Sequence, residues 1–220
     1  MRQFGLTLDW AVRSVLLVAV PAAVALAVLA RPILVTLFQY GEFRPEDVAM
    51  SALSLQAYSL GLAAFMLIKV LAPGYYARQD TATPVRYGII AMAANMVLNL
   101  AFVLPLMYWF QAGHVGLALA TSVAAYLNAG LLLRGLLRDG VLQPQAGWAV
   151  YTGRLLLATS AMVAVLVLLS PGVEDWLART LFERVAHLVL VCGLGGLTYL
   201  LVHVALGTRL QHLRTPPSGS

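Results

Sequence analysis

Residues Lys69 to Val85 read KVLAPGYYARQDTATPV. On one side of them lies the run SALSLQAYSLGLAAFMLI, and on the other YGIIAMAANMVLNLAFVLPL, neither with a single charge. Each run is about 20 residues, which at about 1.5 Å of helical rise per residue crosses a hydrocarbon core of about 30 Å. The stretch between them therefore reads as the turn of a membrane hairpin. Pro73 and Gly74 are expected to end the helix before it, and Thr81 or Thr83 to cap the helix after it, with Pro84 in the first turn, where a missing N–H costs nothing. Asp80 can pair with Arg78 or with exposed backbone amides at that helix start, as a solvated turn charge.

Composition extends the hairpin to the whole chain. Of 220 residues, 61% are hydrophobic and 10% charged, too little polar surface to cover a water-soluble globule. Hydropathy separates into six stretches, near Ala11–Thr36, Ser51–Ala72, Val85–Leu106, Val115–Leu133, Ala149–Leu169 and Val185–Leu206. Period-2 alternation is absent, and lipid admits only helices or closed barrels, because every backbone polar group must be satisfied internally. The fold class is all-α integral membrane, with six transmembrane helices. The first stretch is too long for a cleaved leader and is followed by another span. Arg134–Trp148, Pro171–Arg184 and Thr208–Ser220 are the longest polar segments, each too short for a core of its own, and residues 208–220 are expected to be a disordered tail.

Charge gives orientation and excludes chemistry. Arg2, Arg13, Arg78, Arg86, Arg134, Arg138, Arg154, Arg209 and Arg214 outnumber Arg31, Arg44, Arg179 and Arg184 if both termini are cytoplasmic, so the net charge of +5 is a topology signal. No nucleic-acid partner is expected, since the arginines are dispersed and form no basic face interleaved with aromatics. All nine carboxylates fall in loops or at span ends, so no buried proton relay is read. The four histidines show no ligand spacing, and GxSxG, HExxH and P-loop patterns are missing, so the chain reads as a non-enzyme. Cys192, the single cysteine, reads as a packing residue.

The polar residues inside the apolar runs are what remains. Lys69 can snorkel to the headgroups, or it can point into a water-filled cavity toward an anionic substrate. Asn95 and Asn99 are four apart and share a helical face. Asn128 continues the small-residue row Gly116, Ala120 and Ala124, a pattern that lets another helix approach closely. Interhelical hydrogen bonding is the commoner role for Asn95, Asn99 and Thr121, and for Gln56 and Ser59 in the second stretch.

Taken in order, KVLAPGYYARQDTATPV, LFQYGEF at residues 37–43, NLAFVLPL from Asn99 and GHVGLALATS from Gly113 resemble the carboxy-terminal half of the MurJ (MviN) lipid II flippases, members of the multidrug/oligosaccharidyl-lipid/polysaccharide exporter superfamily. The likeness is at motif level from about Asp9 to Trp148 and looser beyond. It implies that residues 1–140 are four helices of a partial second transport lobe, that residues 141–207 are a two-helix segment forming a groove for a lipid tail, and that an amino-terminal lobe is missing. It further implies lipid II as substrate, membrane lipids as surroundings, and a bacterial inner-membrane location. Substrate contact falls to Lys69, Gln56 and Arg78. No cofactor is implied except a sodium ion, which some members bind. The matching positions here are Asn95, Asn99 and Thr121, with the amide of Asn99 where the family has a carboxylate, which removes a hard anionic oxygen. Alone, one incomplete lobe has nothing to rock against and is expected not to transport. A membrane scaffold, or a transferase acting on polyprenyl carriers, is the rival reading, the latter disfavoured by the missing acids.

Overall fold

The structure is a computed structural model, describing residues 2–38 and 45–207. Eight helices follow in order: α1 Arg2–Val28, α2 Ala30–Phe38, α3 Pro45–Tyr76, α4 Ala82–Phe110, α5 Gly113–Arg138, α6 Trp148–Leu169, α7 Val173–Ala178 and α8 Leu181–Ala205. Six of them are long and apolar enough to cross a membrane, and no strand occurs among the described residues. The LFQYGEF motif lies largely outside the described residues, and the tail 208–220 wholly so.

The first apolar stretch is interrupted at Leu29. Pro32 has no N–H for the carbonyl of Val28, which separates α1 from α2, while Leu29 N and Ile33 N still bond to Ala25 O and Leu29 O. Gln56 of α3 donates to the carbonyl of Ala27 at 3.1 Å and so supplies a donor next to the break.

Small residues set the packing of the remainder. α3 packs between α1 and α5, and α5 between α3 and α4; α4 has α5 as its main neighbour. Ala64 of α3 meets Ala125 and Ala129 of α5, and a Cβ on Gly116 would fall 2.9 Å from the backbone of Phe102 and Val103 in α4. The expected close-approach row on α5 is thus real: without hydrophobic drive between helices in lipid, close backbone packing is what holds them. At the end of the bundle that carries the α3–α4 turn, Leu8 and Val12 of α1, Leu71 and Tyr75 of α3, and Leu132 and Leu136 of α5 form one cluster. α6 and α8 pack on each other and, through Leu155, Met162, Val191 and Tyr199, against Leu29. α7, not foreseen within the Pro171–Arg184 segment, tucks Trp176 beneath Ala30, Leu34 and Val35.

The hairpin turn forms, with different residues in its roles. α3 passes through Pro73 and Gly74 and stops at Tyr76, because Ala77 N still finds the Pro73 carbonyl and Gly74 is packed against Leu136 and Leu8. The stop is Gln79, at φ 61°, with Asp80 N bonded to Tyr75 O and Gln79 N to Tyr76 O, the pairing of a Schellman motif. Neither threonine caps α4. Asp80 Oδ1 does, accepting from Thr83 N at 3.0 Å, while Arg78 turns to Asp139 at 3.0 Å.

Candidate functional site

Between α1 and the α6–α8 pair runs a groove of about 340 Å³, lined by Leu17, Leu29, Met162, Leu166, Gly196 and Tyr199 among others and by no charged side chain. Two adjacent glycines of α8 shape it. A Cβ on Gly195 would meet Leu166 Cδ2 at 2.6 Å, so Gly195 lets α8 close on α6, whereas one on Gly196 would meet nothing within 4 Å, which leaves the groove its width. The Tyr199 hydroxyl is occupied, donating to the carbonyl of Leu17 at 2.6 Å. Such a channel suits an apolar chain and offers a charged headgroup nothing.

The three residues expected at the substrate are not brought together. Lys69 is exposed on α3 and, among the described residues, makes no hydrogen bond or ion pair. Gln56 is committed to α1 and sits about 20 Å along α3 from Lys69, at 1.5 Å per residue, and about 140° around it. Arg78 is in the turn, paired with Asp139 at the end of α5. Lys69 shares its face with Tyr58, Pro73 and Tyr76, all exposed. Pro73 has no N–H to return to the Lys69 carbonyl, so this face carries a backbone acceptor beside an ammonium.

The asparagine row puts several side-chain oxygens at similar levels of α4 and α5. α4 and α5 run antiparallel, with Gly116 against Phe102–Val103 and Gly135 against Tyr87, a register that sets Asn99 level with Thr121 and Asn95 within a turn of Asn128. The Oδ1 atoms of Asn95, Asn99 and Asn128 are buried without a hydrogen-bond partner. Thr121 Oγ1 donates to Leu117 O at 2.8 Å and keeps its lone pairs available. Hard, neutral oxygens of this kind fit a sodium ion in donor type and supply none of its countercharge. No group of three or more His, Cys, Asp or Glu able to hold a metal occurs among the described residues.

A polar cluster near the start of α1 went unread in the sequence. Asp9 lies in the second turn of α1, at a span end as expected from the sequence, but is only 3% exposed, so it is not a solvated charge. It accepts from Trp148 Nε1 at 2.8 Å and lies 2.9 Å from Arg13 Nε. Arg13 donates to Gln145 O and stacks under Trp148, 4.9 Å from the ring centroid. Burial is affordable there because each charge has partners. The signals were present: Asp9 and Arg13 are spaced i, i+4, and Trp148 and Tyr151 i, i+3. Arg184, expected in an outer loop, is likewise buried.

A family model described as "Lipid II flippase MurJ" matches residues 2–187. The chain is 47% identical over 211 residues to "Probable lipid II flippase MurJ" of Vibrio cholerae, covering 96% of this chain and 39% of that protein. It is 45% identical over 212 residues to the protein of the same name from Haemophilus influenzae, covering 96% and 40%. With "Lipid II flippase MurJ" of Burkholderia cenocepacia it shares 43% identity over 146 residues, 66% of this chain and 27% of that protein. A solved structure titled "Lipid II flippase MurJ, inward closed conformation" superposes with a TM-score of 0.72 at 24% identity, over 92% of this chain and 39% of that one, a likeness of fold. The chain thus spans about two fifths of the length of the first two relatives.

Proposed function

From the premise that this chain belongs to the MurJ lipid II flippase family, as a multi-pass protein of the bacterial inner membrane, we propose that it is the carboxy-terminal part of a transporter of lipid II and contributes the track for its polyprenyl tail. The observation that carries the reading is the uncharged groove along α1, α6 and α8. A hydrocarbon chain that enters from lipid gains no transfer from water and is held by close packing along such a surface, while the diphosphate needs paired cations, which the groove lacks.

On this reading the headgroup is bound where α1–α5 meet the remainder of the longer transporter, and Lys69 is the contribution of this segment, its ammonium being exposed and uncommitted. Gln56 and Arg78 act through the α1–α2 junction and through the α3–α4 turn. Asn95, Asn99 and Thr121, with Asn128 beside them, are the oxygens that would hold a sodium ion, and the countercharge would come from outside this segment. Both termini face the cytoplasm, on the arginine count.

The test is to fill the groove in a longer transporter carrying this segment. Gly196→Phe, at a position with open space beside it, should abolish appearance of lipid II in the outer leaflet while leaving membrane insertion unchanged. Undiminished flipping by that variant would remove the tail track, and would leave the rival reading, a scaffold segment, in its place.

A further inference from the structure

We infer that α6, α7 and α8 are a rigid extension of the α1–α2 span, fastened to it at three heights, and not an arm that hinges to open the groove. The inference holds whether or not the groove carries a polyprenyl tail, because it rests on polar contacts made within the chain, all but the Tyr199–Leu17 bond lying outside the groove lining.

The inner fastening is the Asp9 cluster. Asp9 holds Trp148 Nε1 and, at 3.4 Å, Gln145 N; Arg13 holds the carbonyls of Gln145 and Ala146; and the Tyr151 hydroxyl returns to the carbonyl of Arg13 at 2.6 Å. Five contacts in both directions thus join α1 to the start of α6 and to the segment before it. The middle fastening lies one turn further along α1, where Tyr199 of α8 donates to the carbonyl of Leu17, four residues beyond Arg13 and so on the same face.

The outer fastening is Arg184, 9% exposed. Its Nε donates to Trp176 O at 2.9 Å, one terminal nitrogen to Leu177 O at 2.9 Å and the other to Val35 O at 3.4 Å. These carbonyls belong to the last turns of α7 and α2, Trp176 O also accepting from Arg179 N at 3.4 Å, and a cation at two helix carboxyl ends is well placed. Trp176, 1% exposed, locks the same corner sterically.

From Asp9 to Val35 the fastenings cover roughly 40 Å of helix, at 1.5 Å per residue, more than the hydrocarbon thickness. A hinge at either end would have to strip the opposite set together with the Tyr199–Leu17 bond, which lies at a depth where lipid offers no replacement donor. The groove lies between the fastenings, so its width is fixed and an occupant must enter along the side open to lipid. When the lobe moves, the groove moves with it.

Double electron–electron resonance on a longer transporter carrying this segment, in nanodiscs and in a background whose cysteines, Cys192 among them, are replaced by alanine, tests this. Spin labels at Gln3→Cys and Val150→Cys span the inner end, and at Arg31→Cys and Phe182→Cys the outer end, all at exposed positions. Each pair should give one narrow distance distribution. A broad or two-peaked distribution for the outer pair beside a narrow inner one would establish a hinged arm and overturn the inference. Trp148→Phe with Asp9→Asn should broaden the inner pair alone, and Arg184→Gln the outer pair alone; an unchanged distribution in either case would remove that fastening. Should these variants fail to insert, the two pairs in the otherwise intact chain still decide between one body and a hinge.

Discussion

Gln79 holds the α3–α4 turn at φ 61°, a conformation that crowds any Cβ. A left-handed non-glycine residue costs roughly 1–2 kcal/mol, and glycine gives back about 0.5–1 kcal/mol in lost chain freedom. Gln79→Gly should therefore stabilise the chain by about 0.5 kcal/mol, a rise of about 1–2 °C in thermal midpoint in detergent. Next to it, Asp80 is a cap whose acidity is set by its role: hydrogen bonds from Thr83, chiefly the backbone N–H, hold its carboxyl below the ordinary value of 3.8. A pKa depressed on folding stabilises the folded state above the unfolded value, and that contribution fades as pH falls through the folded one. Asp80→Asn should accordingly lower the melting temperature at pH 7, with the gap to the parent chain narrowing on acidification below about pH 4; a gap that widened in acid would show that the carboxylate is not the cap. Lys69 belongs at this scale too. Lys69→Met in a longer transporter should leave insertion intact and abolish rescue of a flippase-depleted strain; full rescue would return Lys69 to snorkelling.

The helix elements were legible where the pattern was long and uninterrupted, and less so where a side chain overrode it. Six apolar runs gave six spans, since length and the lack of water fix helix in lipid. Pro73 and Gly74 looked like a stop and were not, because Gly74 is a packing residue against Leu8 and Leu136. The Thr180–Glu183 capping box that starts α8 follows a readable T-x-x-E pattern, whereas α7 is too short to show a period. Asp9, Arg13 and Trp148 were opaque because their contacts span more than 130 positions of chain. α3, α4 and α5 meet at Gly135, where an added Cβ would collide with the Tyr75 hydroxyl that donates to Leu132 O at 2.8 Å. Gly135→Ala should cost about 1–3 kcal/mol by overpacking, read as a loss of thermal stability in detergent. Tyr75→Phe in the same chain should recover most of that loss by removing the colliding oxygen; no recovery would place the strain on Tyr87, whose hydroxyl is 3.2 Å from the same point.

At the scale of the molecule, the open surfaces are as informative as the buried ones. α4 is packed on α5 and otherwise exposed, with Met96, Val97, Leu100 and Leu104 facing outward, and the Oδ1 atoms of Asn95 and Asn99 buried without donors. Relatives of more than twice this length have further chain to lay against such faces. If family members transport by moving two lobes around a site between them, then on the function proposed above this segment would provide one wall of that site. The 220 residues expressed alone should therefore insert, because each span is long enough and the arginine bias orients it, yet should not flip lipid II. Unpartnered amide oxygens in hydrocarbon should also drive association between copies or lower stability relative to the longer protein. Leaflet accessibility of lipid II in vesicles holding only this chain is the measurement. A rate equal to empty vesicles is the expected result, and flipping above it, with no longer copy present, would mean that this segment builds a complete path for the diphosphate from Lys69 and its own arginines.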